Sequence, residues 1–296
     1  MDETEWLAER FEEHQSHLRG VAYRMLGSLS EADDAVQEAW LRLARADSSE
    51  VENFGGWLTT IVARVCLNML RTRSSRREQP MDVGVHLPDP VISHQDGLDP
   101  EQEVLLADSV GLALLVVLDT LAPAERVAFV LHDLFAVPFD QIAPIVGRSE
   151  AAARQLASRA RRRVQETAPA PDGDLTRQRK VVDAFFAAAR DGDFDALVAV
   201  LDPDVVLRSD GGAARPAATV VVHGAAAVAR QALTFARLSP FVRPALVNGV
   251  AGVVVAPRGR PFSVMGFTVR DGKIVAIDGL ADPERLRDLD LTVLGG

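Results

Sequence analysis

The sequence predicts a multidomain chain: two all-α domains, the second carrying a helix-turn-helix, followed by an α+β domain. Three observations predict it. Apolar residues recur at helical spacing over residues 3–78 and again over about 103–166. A short helix, a turn glycine at Gly147 and an arginine-rich helix succeed one another near 138–164. From Asp174 onward, helix-like stretches give way to strands separated by turns, an order that argues for α+β.

Composition sets the class. The 296 residues suit two or three domains at roughly 100–200 residues each. Hydrophobic residues at 48% and charged residues at 25% are ordinary for a globular protein with ample core. No run of about 18 apolar residues occurs, which excludes a spanning helix. The opening MDETEWLAERFEEH is acidic and lacks a basic flank and apolar stretch, so no secretory signal is expected. The single cysteine, Cys66, allows no internal disulfide and fits a reducing cytoplasm. With six scattered histidines and one thiol, a structural zinc site is not expected. No cofactor and no membrane partner are expected either.

The elements follow in order. Leu7, Phe11, Leu18, Ala22 and Met25 share one face of a first helix. Ser30 with Asp33 reads as a capping-box start for a second, with Val36, Trp40 and Leu43 on its stripe. After a break at Asn53–Gly56, Phe54, Trp57, Leu58, Ile61, Val65 and Met69 line a third, whose opposite face carries Arg64, Asn68 and Arg71. Together these make a domain over 1–80. Residues 81–104, with prolines and acids, read as a linker, and 105–167 as the second helical domain. There Val127, Val130, Leu131 and Leu134 form an apolar stripe, and Ala153, Leu156, Ala160 and Val164 give the last helix an inward face. Pro144, inside the helix before the turn, costs a backbone bond and predicts a kink. A second linker, 168–173, precedes the domain at 174–296. Its helices carry Val181, Phe185, Phe186, Ala188 and Ala189, then Phe194, Leu197 and Leu201. A strand and turn at PDVVLRSDGG, a helix at 224–237, and antiparallel strands at 241–247, 250–256, 262–270 and 273–279 complete it, the last pair joined by Asp271-Gly272.

The net charge of −10 conceals local asymmetry. Residues 148–163 hold six arginines against one acid, and residues 64–78 five against one, whereas 81–110 hold seven acids and no base. In a helix-turn-helix the second helix enters the major groove. Ser149 caps it, and the face with Arg154, Gln155 and Ser158 is left for DNA. Arginine pairs with guanine edges or phosphate, and glutamine reads adenine. By itself the basic end of the third helix, LNMLRTRSSRRE, is an exposed helix terminus favoured by its dipole. Beside a second basic element it becomes half of a clamp on two DNA sites.

SEADDAVQEAWLRLAR, FGGWLTTIVARVCLNMLR and the helix-turn-helix ending SEAAARQLASRARRRV closely resemble an extracytoplasmic-function sigma factor of bacterial RNA polymerase. The carboxy-terminal part resembles a SnoaL-like domain, a cone-shaped fold of the nuclear-transport-factor-two superfamily, an order typical of the sigma factor J-like subgroup. The resemblance implies core RNA polymerase and promoter DNA as partners. It assigns Asp33, Asp34, Gln37, Glu38, Trp40 and Leu41 to the polymerase clamp. Arg64, Asn68, Arg71, Arg73, Arg76 and Arg77 go to the minus-ten element. Arg148, Ser149, Glu150, Arg154, Gln155, Ser158, Arg161 and Arg162 go to the minus-thirty-five element. From the residues alone, Val36 and Trp40 serve equally as core.

The subgroup's Trp-Leu-Pro-Glu-Pro linker motif reads here His86-Leu87-Pro88-Asp89-Pro90, keeping the Leu-Pro-acid-Pro part and losing the aromatic anchor. Its Asp-Gly-Gly-Gly-Lys turn reads Asp210-Gly211-Gly212-Ala213-Ala214, and its Asn-Pro-Asp-Lys-Leu segment reads Asp282-Pro283-Glu284-Arg285-Leu286. The resemblance implies that the last domain docks on the linker, at Leu87, Pro88, Asp89 and Pro90, and on the sigma domains, through Asp210, Gly211, Gly212 and the segment Asp282 to Leu286 with Pro283, and so controls the sigma domains in cis.

Two rivals stay open: a polymerase-independent regulator with a ligand-binding domain, and a DNA-binding module fused to a cyclase or isomerase. A small ligand in the last domain also stays open. For catalysis, Asp210, His223 or Asp278 could act as base, but the sole tyrosine, Tyr23, is remote in sequence. The expectation is a non-enzyme. His14 and His17, at i and i+3, form only a lone pair for a metal.

Overall fold

The computed structural model describes residues 3–44, 53–77, 85–94, 111–167 and 171–289. They form two compact units. One holds residues 3–77 and 117–167; the other holds 85–94, 111–116 and 171–289. The division falls within the helix Leu112–Asp119.

In the first unit, helices α1 (Glu3–Leu26), α2 (Leu29–Leu43) and α3 (Phe54–Arg77) pack together. Leu18, Val21, Ala22 and Met25 are fully buried with Leu58 and Val62. Ala32, Ala35 and Ala39 are buried on α2, and such small residues allow close helix approach. The cap of α2 differs from the expected Ser30–Asp33. Gly27 ends α1 at φ 73°, which leaves Ser28 extended, and Ser28 Oγ accepts from the Glu31 N–H at 3.4 Å. Asp33 instead accepts from Arg19 at 2.6 Å. The expected break at Asn53–Gly56 is a helix start. Asn53 caps the Gly56 N–H at 2.9 Å, and the His14 and Asn53 side chains fill the space that a Cβ would need at Gly55 and Gly56.

Helix α4 (Leu112–Asp119) falls within the helical stretch expected from 103 onward, of which residues 103–110 lie outside the described set. Helix α5 (Pro123–Phe129) starts with proline at its first position, where no N–H is required, and runs into a π-helical turn at Val130–Leu134. Val127, Val130 and Leu131 are buried as expected, and Leu134 is half-buried. Helix α6 (Phe139–Val146) carries Pro144 two residues before its end, so the bond forgone is to the carbonyl of Asp140, an exposed residue. Gly147, at φ 67°, turns the chain into α7 (Glu150–Thr167).

The second unit is built on a seven-stranded sheet of order β1-β4-β5-β6-β7-β2-β3. The strands are β1 (Ile92–Ser93), β2 (Leu201–Asp210), β3 (Val220–His223), β4 (Val242–Val247), β5 (Val250–Val255), β6 (Ser263–Arg270) and β7 (Lys273–Leu280). The expected antiparallel run is β4 to β7, and β2 joins β7 in parallel, which no local pattern announced. Asp271-Gly272, with φ of 53° and 73°, makes the β6–β7 turn. Helices α8 (Leu175–Asp191), α9 (Phe194–Val200) and α10 (Ala225–Thr234) cover one face, burying Val182, Phe185, Leu197 and Val228 on Val253, Phe267 and Ile277. Phe185, Phe186 and Phe267 pack with ring centroids 5.3–5.8 Å apart.

Candidate nucleic-acid interface

Helix α7 presents the expected face. Ser149 Oγ accepts from the Ala152 N–H at 3.3 Å, capping it. Ala153, Ala157 and Ala160 are buried, while Leu156 and Val164 are half-buried. Arg148, Ser149, Glu150, Arg154, Gln155, Ser158 and Arg162 are exposed. Arg161 is half-buried, its Nε donating to Asp133 at 2.6 Å. The Arg154 guanidinium donates to Glu150 one turn earlier and lies 5.5 Å from the centre of the Phe139 ring.

On α3, Arg64, Asn68 and Arg71 are exposed along one face. Arg73 does not join them. It turns inward, donating to the Leu26 carbonyl at 3.1 Å and to Glu31, with Asp119 3.7 Å away. Its place in the sequence is inside the basic run, but the end of α1 leaves carbonyls that need a donor. The side chains of Arg76 and Arg77 lie outside the described set.

Helix α3 packs directly on α5 and α6, the first helix of the helix-turn-helix. Asp119 accepts from Arg126 at 2.9 Å, and Arg126 is buried to 1% exposure. Phe135 meets α1: the His17 ring stands edge-on at 5.4 Å and the buried Arg24 guanidinium lies over it at 4.8 Å. His14 faces Phe54 at 6.1 Å, so each member of the histidine pair is engaged with a ring. Burial, then the charges of His14 and Arg24, lowers the His17 pKa. Cys66 is sealed between helices, where burial pushes its thiol up to about 12.

On α2, Asp34, Gln37 and Leu41 are exposed. Asp33 is paired with Arg19, and Glu38 accepts from Arg42 at 2.9 Å. Trp40 is half-buried against Phe11, centroids 5.1 Å apart, and both line a cleft with Gln15, Arg19, Val36 and Gln37.

The second unit holds a cluster that residue reading only partly foresaw. Leu87, Pro88 and Pro90 are buried, and the Leu87 N–H donates to Asp210 at 3.0 Å. Arg285 joins the pieces: Nε donates to Asp89 at 2.8 Å, Nη1 to Asp210 at 2.9 Å and Nη2 to the Leu87 carbonyl at 2.6 Å. Gly211 and Gly212 sit where a Cβ would strike the Arg215 carbonyl and the Asp282 carboxylate. Asp282 accepts from Glu284 N–H at 2.9 Å and Leu286 is buried. Arg285 lies within the expected segment 282–286 and is its residue able to bridge two carboxylates. Asn248 was also missed. It donates its N–H to the Val91 carbonyl at 2.8 Å, and its Oδ1 accepts from the Val91 N–H at 3.1 Å.

Of the residues considered as bases, Asp210 is committed to this cluster. Asp278 is buried and accepts from Arg208 at 3.0 Å; burial raises its pKa, partly offset by that arginine. His223 is exposed at the end of β3, the sheet's outer strand, and Tyr23 belongs to the first unit. No described helix is long and apolar enough to cross a membrane.

Residues 10–76 match the family model "Sigma-70 region 2", and residues 111–164 match "Sigma-70, region 4". The chain is 41% identical over 288 residues to the ECF RNA polymerase sigma factor SigJ of Mycobacterium tuberculosis, covering 93% of this chain and 91% of that one. It is 36% identical over 295 residues to the probable ECF RNA polymerase sigma factor SigI of the same species, covering 96% of each. The crystal structure of M. tuberculosis SigJ superposes with a TM-score of 0.78 at 37% identity, covering 96% of this chain and 99% of that one. With both sigma regions present and a relative this similar along nearly its whole length, the chain belongs to the extracytoplasmic-function sigma factors of RNA polymerase.

Proposed function

We propose that this sigma factor engages core RNA polymerase through α2, reads promoter DNA through the exposed faces of α3 and α7, and is restrained in cis by its SnoaL-like last domain. The observation that carries the restraint is the Arg285 cluster, which ties linker residues 87–89 to Asp210. Elements centred ten and thirty-five base pairs upstream lie roughly 85 Å apart at about 3.4 Å per base pair. Packing of α3 on α6 suits no such separation. Residues 78–111 connect α3 to α4 and reach roughly 110 Å when fully extended. Fastening 85–94 to a folded domain withdraws the middle of that tether, so polymerase must stabilise the released form by differential binding.

This use of Asp210 and the burial of Asp278 favour a regulatory domain over a catalytic one. The test is run-off transcription with core polymerase and the full chain, comparing wild type with Arg285→Ala. The substitution takes the guanidinium away from the Asp210 and Asp89 carboxylates, a cost of about 3 kcal/mol to the docked state. Transcript should rise while the helical content is unchanged. Equal output from both would remove the restraint, and no promoter-dependent transcript from either would remove the promoter assignment.

A further inference from the structure

Arg154 is the one exposed arginine of α7 whose guanidinium has a described aromatic platform, and that platform is itself built. The π-helical turn after α5 carries His132, whose Nδ1 bonds the Val137 carbonyl at 3.1 Å. This fixes the imidazole against Phe139, ring centroids 3.9 Å apart and 31° from parallel. Phe139 opens α6, and its ring in turn lies 5.5 Å from the Arg154 guanidinium, which Glu150 holds from its own helix. A long side chain on a helix surface ordinarily samples many rotamers, and ordering it on DNA costs entropy. Here the ordering is done before DNA arrives. Arg159 and Arg161 are instead drawn to the acids Glu125 and Asp133.

We infer that Phe139, held by His132, is a positioning residue that presents Arg154 to a guanine edge in the upstream promoter element. The inference rests on the proposed DNA-reading role of α7 and deepens it: Arg154 reads a base, and does so from a stacked, prearranged fork matched to O6 and N7. Phe139 touches no DNA in this scheme. Its contribution is to base discrimination at one position, because phosphate attraction depends on charge and not on rotamer.

The experiment uses holoenzyme assembled from core polymerase and the full chain, transcribing a promoter library randomised across the upstream element, with transcripts sequenced. Wild type should favour guanine at one upstream position by about tenfold. Arg154→Ala should abolish that preference. Phe139→Leu should weaken it by roughly two- to fivefold, leaving preferences at other upstream positions intact. Phe139→Trp, which keeps a π face, should retain it. Retention of the full preference in Phe139→Leu overturns the inference, as does a flattening of all upstream positions together or a loss in Phe139→Trp. If Arg154→Ala changes no position, the base-reading role of α7 falls and takes the inference with it, an outcome visible in that variant alone.

Discussion

Asn248 and Val91 exchange two hydrogen bonds: the Asn248 N–H to the Val91 carbonyl at 2.8 Å, and the Val91 N–H to Asn248 Oδ1 at 3.1 Å. Asn248 is also the first residue of the β4–β5 turn, at φ 51°, followed by Gly249 at φ 76°. One buried residue thus sets a hairpin and anchors the linker whose next residues, Ile92 and Ser93, pair with β4.

Asn248→Ala should therefore cost about 2 kcal/mol, combining a lost buried acceptor with a left-handed backbone that alanine resists. Asn248→Gly takes the left-handed turn without strain but likewise lacks the acceptor. Hydrogen exchange at Val91–Ser93 should accelerate strongly in both variants. Equal protection in wild type and alanine variant would refute the anchor.

The arginines of α3 should separate by their surroundings. Arg73→Ala removes donors from Leu26 and Glu31 and should lower stability by about 1–2 kcal/mol. Arg71→Ala should leave the melting temperature unchanged and reduce the salt slope of promoter binding by about one. Asn68→Ala should impair promoter melting, read by permanganate footprinting, with little loss of closed-complex binding. The reverse pattern of melting temperatures for Arg71 and Arg73 would overturn the division.

Much of the architecture was legible because it is written locally. The strands β4 to β7, the Gly147 turn and the Ser149 cap each follow from a few neighbouring residues. What was illegible depends on distant partners. Nothing near Arg73 says that it faces Leu26 and Glu31, and nothing near Ile92, in a proline-bearing acidic stretch, says that it pairs with Val247. Nothing in the segment 282–286 singles out Arg285 as its bridging residue, because its partners Asp89 and Asp210 are 196 and 75 residues away. The Ser28 cap was decided by Gly27, whose left-handed turn moved the helix start two residues earlier than the Ser30 spacing suggested.

His17 makes stability depend on pH. Its pKa is lowered in the folded chain, first by burial and then by His14 and Arg24, whereas in the unfolded chain it protonates near the ordinary value of about 6.5. The unfolded state then binds more protons below that value, so stability falls as pH drops from above 6.5 through the folded pKa, and levels off beneath it. His17 is nevertheless exposed to water, which limits the size of the effect. Melting temperatures measured from pH 8 to pH 5 should fall less in His17→Gln than in wild type. Parallel curves would exclude His17 as a contributor.

Cys66 should report opening of the first unit. At 0% exposure and with its pKa near 12, about one thiol in ten thousand is ionised at pH 8. Ellman's reagent should react negligibly with the folded protein and at once in urea. Rapid reaction without denaturant would show that the α1–α3 core breathes far more than its packing implies.

The short strand β1 also has a protective side. Strand β4 carries Pro244, which has no N–H to offer a neighbour, near one end, and β1 covers Leu246 and Val247 at the other. When the linker departs, only the proline half of that border stays blunted, and the uncovered half offers unsatisfied N–H and C=O groups to any extended chain. Under the proposed restraint, activation carries a hazard of self-association: a released linker from one molecule fits the vacated border of another. Keeping the segment folded away until polymerase is at hand would then guard solubility as well as transcription.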